Sequence, residues 1–146
     1  MVMLIKGNGR FDFDIVGESH RQHHLRFMAG PEIPGGHDLE CLAALILQDD
    51  NPYDDKAVAV HIVFASRKTL LVGYLARAEA RRFRRCLDDV GQQDPEGMLC
   101  RAMIVGGRDN GDGKPGPYGV KLDLMMPLKL GTALSWVNWQ KRLLPG

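Results

Sequence analysis

The alternation of apolar and polar residues along the 146-residue chain predicts several short β-strands. The clearest pair lies at 57–64 and 69–74, where a turn at 66–68 separates two β-branched, apolar segments that should form a hairpin. The segment 39–48 is apolar and fits a helix or a strand, although the abrupt polar stop at 49–52 favours a strand for its second half. Further strands are predicted at 11–16, 98–105 and 118–124.

Helical patterns occur in two places. Residues 20–29 follow Ser19, a suitable helix N-cap, and residues 78–90 have apolar positions at helical spacing. The apolar stripe of the second helix consists of Ala80, Phe83 and Leu87. Many short strands with two or three helices predict a mainly β protein, a small and partly closed β-barrel of the OB-like or SH3-like type.

The chain divides into three parts on this pattern. Residues 1–10 are an N-terminal strand or arm, residues 11–126 form the barrel domain, and residues 127–146 are a C-terminal tail with Trp136 and Trp139. The tail is predicted to be a helix that docks on its own barrel. The alternative is that its apolar side chains bind a partner subunit or form a homodimer.

Composition narrows the classes of function. A net charge of +1 excludes binding of nucleic acid through overall charge, so any such role requires a local patch. No apolar run approaches the roughly 20 residues that a membrane span needs. The odd set Cys41, Cys86 and Cys100 has no CxxC spacing, which favours buried free thiols in a reducing cytoplasm over a disulfide framework or a zinc site.

The most distinctive segment is the turn Asn51-Pro52-Tyr53-Asp54, which directly precedes the strand at 57–64. Proline fixes its own φ and pushes the preceding residue toward an extended conformation, so this turn is stiff. A stiff turn can present an aromatic ring and a carboxylate to a ligand with little ordering cost.

Four segments of the chain together resemble the HIRAN domain, a small module of fork-remodelling helicase-type ATPases that also occurs as free-standing bacterial proteins. They are 16–19, 51–60, 72–75 and 119–124, and the match covers most of 11–124. The resemblance implies a modified OB-like barrel that binds single-stranded DNA, captures a free 3′ end and has no enzymatic activity or cofactor of its own. It also implies a role in DNA repair or replication-fork processing, with a helicase, ATPase or other protein as partner.

The resemblance assigns DNA-binding roles to residues in and near the turn. Tyr53 would stack on a terminal base, Asp54 would accept a hydrogen bond from the 3′-hydroxyl, and Asn51 would contact a base edge or brace the turn. Tyr74 and Arg77 would approach the DNA backbone. The alternative is that the Asn51 and Asp54 side chains bond only to the turn backbone while Tyr53 packs on the barrel.

Basic residues extend this predicted interface. Lys56 belongs to the motif, and Arg81 shares a helix face with other arginines, which predicts either a phosphate-binding patch or an ordinary solvated face. The arginines on this face are Arg77, Arg81, Arg84 and Arg85. His20 and Arg21 stand where studied members of the family have an aromatic pair, and both side chains can stack on bases, though less extensively.

Other functions are weighed against DNA binding. His20 with His23 or His24 has the spacing of metal ligands on a helix, but no carboxylate or cysteine beside them completes a set, so no metal is predicted. A nuclease would need the carboxylates at 49–55 to hold Mg²⁺, and they all fall in one short turn without a completing partner. A protein–protein adaptor without DNA binding is the second candidate.

Overall fold

The computed structural model describes residues 2–65, 68–91 and 98–134. Its strands are β1 (Val2–Ile5), β2 (Phe13–Asp14), β3 (His37–Gln48), β4 (Ala57–Ala65), β5 (Lys68–Tyr74), β6 (Met98–Gly106), β7 (Tyr118–Asp123) and β8 (Leu130–Leu134). Its helices are α1 (Gln22–Ala29) and α2 (Arg77–Asp89), preceded by a single 3-10 turn at Glu18–His20. The predicted mainly β class with two helices is confirmed.

The strands belong to one sheet in the order β2-β7-β6-β3-β4-β5, with each neighbouring pair antiparallel. Strand β1 lies parallel to β6 and antiparallel to β8. The sheet is not closed, but the Val16 and Tyr74 backbones exchange hydrogen bonds of 2.8 and 2.9 Å between the segment after β2 and the end of β5. This single bridge joins the two ends of the strand path, which fits the predicted partly closed barrel.

The core lies inside the curved sheet and under α2. The predicted stripe of α2 is buried, and Phe83 is completely inaccessible to solvent. Leu25 of α1 is also fully buried, and the three cysteines are buried free thiols, as the sequence predicts. Burying these apolar surfaces is the main stabilisation of the fold.

The structure corrects three predicted boundaries. Strand β2 is shorter than the predicted 11–16, because Phe11 has a left-handed φ of 50° that cannot continue a strand. Strand β3 extends over the whole segment rather than its second half, because its first residues pair with β6. Helix α1 begins at Gln22, and Ser19 is not its N-cap.

The start of α1 depends on a contact that is distant in sequence. The Gln22 side chain donates to the Tyr118 carbonyl at 2.9 Å, and its oxygen accepts the Tyr118 N–H at 2.8 Å. Gln22 therefore pairs with β7 in the manner of a neighbouring strand. Before it, Gly17 adopts a φ of 85°, which permits the turn into the 3-10 segment.

Parts of the predicted organisation fall outside the described residues. The hairpin of β4 and β5 is present, but residues 66–67 of its predicted turn are not described. Residues 130–134 of the predicted tail form β8, whereas 135–146, with Trp136 and Trp139, lie outside the described part, so their helix remains a prediction. None of the helices in the described ranges is long and apolar enough to cross a membrane.

Candidate nucleic-acid interface

The turn between β3 and β4 is held together by Asn51. Its side-chain oxygen accepts the backbone N–H groups of Tyr53 at 2.9 Å and Asp54 at 3.1 Å, and its amide donates to Gln48 Oε1 at 2.8 Å. These bonds satisfy backbone donors that the tight turn would otherwise leave unpaired. Asn51 therefore braces the turn, one of the two roles predicted for it.

The Tyr53 side chain is presented to solvent. The residue is 94% exposed, although its backbone is fixed by the bond to Asn51. The turn hydrogen bonds of the alternative interpretation are thus present, but the expected packing of Tyr53 on the barrel is not. An exposed ring on a rigid turn is available for stacking.

Asp54 forms a two-point ion pair with Arg81 of α2. Arg81 Nη2 donates to Oδ1 at 3.0 Å and Nη1 donates to Oδ2 at 3.2 Å, while the Lys56 backbone N–H donates to Oδ1 at 3.0 Å. The Arg81 hydrogen bonds, followed by the Lys56 N–H, hold the pKa of Asp54 below its usual value. The same bond to Asp54 raises the pKa of Arg81.

A groove of about 350 Å³ lies beside this turn. We call it the NPYD groove, and its lining residues are Val16, Asn51, Tyr53, Asp54, Ala57, Tyr74, Leu75 and Arg77. It brings together five of the predicted site residues from two stretches of the chain, 51–54 and 74–77. The bridge between Val16 and Tyr74 joins two of the lining residues to each other, and Arg77 is exposed at the start of α2.

A second groove, of about 500 Å³, lies between the turn and α2. We call it the arginine groove, and its lining residues are Leu47, Lys56, Arg81, Arg84, Arg85, Leu87 and Asp88. Two predicted site residues, Lys56 and Arg81, line this groove instead of the first. Arg81 stands between the two grooves, because its partner Asp54 lines the NPYD groove.

Arg84 stabilises the fold through hydrogen bonds within the protein. Its guanidinium donates to the Lys56 carbonyl at 2.8 Å, to the Ala57 carbonyl at 2.9 Å and to Asp49 Oδ1 at 2.6 Å. Its side chain is only 15% exposed. These contacts tie α2 to the beginning of β4, so Arg84 has little capacity left for a phosphate.

The predicted replacements for the aromatic pair lie elsewhere. His20 is exposed in the 3-10 turn, and Arg21 is half-buried near His61, whose pKa is lowered by burial and then by the charges of Arg21 and His24. Neither His20 nor Arg21, both described, lines the NPYD groove. Their predicted contact with DNA bases has no support from this groove.

The described residues contain no group of three or more histidine, cysteine or carboxylate side chains that could hold a metal ion. His24 Nδ1 lies 2.6 Å from the Leu71 carbonyl, and Asp49 is paired with Arg84. These side chains therefore have partners within the protein.

Sequence reasoning missed two features of the site. The apolar lining of the NPYD groove includes Val16, Ala57 and Leu75. Val16 and Ala57 lie in predicted strands and Leu75 directly follows one, but the pattern does not show that they share a groove. The Asp54–Arg81 pair joins residues 27 apart in the chain, and no local spacing predicts it.

Comparisons of the chain with models of protein families, with curated proteins and with solved structures gave no match.

Proposed function

We propose that this protein is a non-catalytic, HIRAN-like module that binds single-stranded DNA or captures free 3′ DNA ends. In this proposal it acts in the cytoplasm with a helicase or ATPase in DNA repair or fork processing. The observation that carries the proposal is the NPYD groove, where the almost fully exposed Tyr53 stands beside Asp54 and Arg77.

The aromatic ring supports binding without base specificity. Every base has a π-face, so stacking on Tyr53 contributes roughly 1–3 kcal/mol whatever the base is. Val16 and Leu75 give the groove an apolar lining. Contact of this lining with the edge of a base and with the sugar would remove apolar surface from water. The groove volume of about 350 Å³ suits a small terminal unit of the strand better than a duplex.

Asp54 supports recognition of a terminal hydroxyl. An ionised carboxylate offers about four acceptor positions. Arg81 and Lys56 occupy both positions on Oδ1 and Arg81 occupies one on Oδ2, so the bonds among the described residues leave one position on Oδ2 for a ligand. A 3′-hydroxyl can donate to it, whereas a 3′-phosphate at neutral pH is a poor donor and carries like charge.

Arg77 supports contact with the strand that leads into the groove. It is exposed, and the described residues supply no ion-pair partner for it. A guanidinium at this position can pair with a phosphate and displace counterions, which makes binding sensitive to salt.

The second candidate, a protein–protein adaptor, is favoured by an exposed aromatic pair on another surface. Phe27 of α1 is 68% exposed and meets Phe64 of β4 edge-on, with ring centroids 6.0 Å apart. Exposed aromatic pairs are typical of protein contacts. An adaptor that used this pair would not need the NPYD groove.

The two candidates separate in fluorescence anisotropy with single-stranded oligonucleotides that differ only in the 3′ terminus, hydroxyl or phosphate, at two salt concentrations. We expect tighter binding to the hydroxyl end and a steep loss of affinity as salt rises. Absence of binding to both oligonucleotides would reject the proposal in favour of the adaptor. Equal affinity for both ends would reject the role of Asp54.

A further inference from the structure

We propose that Arg81 is a positioning residue for Asp54, which sets the orientation of the end-recognising carboxylate, and that it is not a phosphate contact. The inference rests on the proposed function. It assigns Arg81 a role different from the one that its place among the arginines of α2 predicts.

The geometry of the pair fixes the plane of the carboxylate. The two Arg81 nitrogens reach the two Asp54 oxygens at 3.0 and 3.2 Å, the fork arrangement that gives arginine–carboxylate pairs their directional specificity. The fork is itself held, because Arg81 Nη1 also donates to the Arg77 carbonyl at 3.3 Å. The carboxylate is thus constrained by α2 on one side and by its own turn on the other.

Within the described part of the chain, these bonds leave a single acceptor position on Asp54 Oδ2. Asp54 lines the NPYD groove, and its side chain is 20% exposed. A carboxylate free to rotate would spread that position over many directions. The pair therefore makes a half-buried acidic group into one directional acceptor.

The pair also removes an electrostatic conflict. A carboxylate in a nucleic-acid site repels the phosphates of the strand that it must accept. Arg81 offsets that charge, so Asp54 can accept a hydrogen bond while the pair carries no net charge. By the same account the charge of Arg81 is already matched within the protein, which argues against an independent phosphate contact.

A double-mutant cycle tests the inference, with affinity for a 3′-hydroxyl oligonucleotide as the measured quantity. Arg81→Gln should weaken binding about tenfold when Asp54 is present, because an oriented hydrogen bond to a charged group is lost. In the Asp54→Asn background the same change should weaken binding by less than about twofold, because the two residues act as one unit. Arg82→Gln, at an exposed position of the same helix, is the matched control.

A conservative variant adds a second readout. Lysine keeps the charge but lacks the planar fork, so Arg81→Lys should bind about as weakly as Arg81→Gln. If Arg81 were a phosphate contact, Arg81→Lys would keep most of the affinity. Arg81→Gln would then weaken binding equally with Asp54 or Asn at position 54, and it would reduce the slope of log affinity against log salt by about 0.7. Thermal unfolding of each variant checks that the fold is intact.

The outcomes are distinct. Coupling between positions 54 and 81 with no rescue by lysine supports the inference. Additive losses with rescue by lysine overturn it and leave the proposed function standing. No DNA binding by the wild-type protein overturns both.

Discussion

The NPYD groove and the arginine groove lie on opposite sides of the Asp54–Arg81 pair, and they differ in how their polar groups are used. In the NPYD groove, Tyr53 faces solvent on a turn that the Asn51 side chain braces, and Arg77 faces solvent at the start of α2. In the arginine groove, Arg84 donates to two carbonyls and a carboxylate of the protein itself. A row of arginines on a helix is therefore not evidence of a phosphate-binding surface until their internal partners are known.

The largest effect is expected from Tyr53→Ala. Loss of base stacking should weaken binding of single-stranded DNA by about 5- to 150-fold. The melting temperature should hardly change, because the side chain is 94% exposed. Fluorescence anisotropy and thermal unfolding measure the two quantities.

Phe27→Ala is the matched control for Tyr53→Ala, since it removes another exposed ring from a different surface. It should leave DNA affinity unchanged. If Phe27→Ala weakened DNA binding and Tyr53→Ala did not, the NPYD groove would not be the binding site.

Arg84→Ala should have the opposite effect to Tyr53→Ala, with lower stability and unchanged DNA binding. Removing its contacts to the start of β4 and to Asp49 should lower the free energy of unfolding by about 1–3 kcal/mol, because the Lys56 and Ala57 carbonyl groups lose a charged donor. DNA affinity should stay near the wild-type value. Chemical denaturation measures the first and anisotropy the second.

Arg85→Ala controls for the loss of one positive charge from the same helix, at a more exposed position. It should be less destabilising than Arg84→Ala. A strong loss of DNA affinity in Arg84→Ala with unchanged stability would show that the comparison between the grooves is wrong.

The sequence predicts local structure in this protein better than it predicts the assembly of the site. The β4–β5 hairpin and the apolar stripe of α2 follow from local patterns, and the structure has both. The predicted Ser19 cap is wrong, because α1 begins at Gln22. The Gln22 side chain bonds to Tyr118, 96 residues away, and no local pattern predicts that contact.

The same limit applies to the arginines. The arginines lie on α2 as the sequence predicts, but the roles of Arg81 and Arg84 depend on carboxylates and carbonyls from a distant segment. Local periodicity contains no information about those partners. The motif at 51–54, by contrast, is local, and the Asn51 side chain braces its turn, which is one of the roles that the sequence predicts.

A smaller effect is expected from Arg77→Ala. Removing one phosphate contact should reduce the slope of log affinity against log salt by about 0.7, with a modest loss of affinity at low salt. Arg10→Ala removes the same charge from an exposed position outside both grooves. Identical slopes for the two variants would exclude a specific role for Arg77.

The smallest effect concerns pH and a region outside both grooves. Burial and the charges of Arg21 and His24 lower the pKa of His61 below 6.5 in the folded state. As pH falls below 6.5 the unfolded chain takes up the proton first, so stability should decline until the folded-state pKa is passed. His61 Nδ1 also lies 3.0 Å from Thr69 Oγ1.

Thermal unfolding between pH 7 and about pH 5 measures this dependence. His61→Gln should flatten the profile, whereas His20→Gln, at an exposed histidine, should leave it unchanged. An unchanged profile in His61→Gln would assign the pH dependence to another group.

The most direct test of the central claim is a titration of the ¹⁵N-labelled protein with a short 3′-hydroxyl oligonucleotide, followed by amide chemical shifts. We expect saturable shifts at residues 51, 53, 54, 74 and 77, which line the NPYD groove, and much smaller shifts at 84, 85 and 87, which line the arginine groove. Shifts confined to 84–87, or to the surface of Phe27 and Phe64, would contradict it.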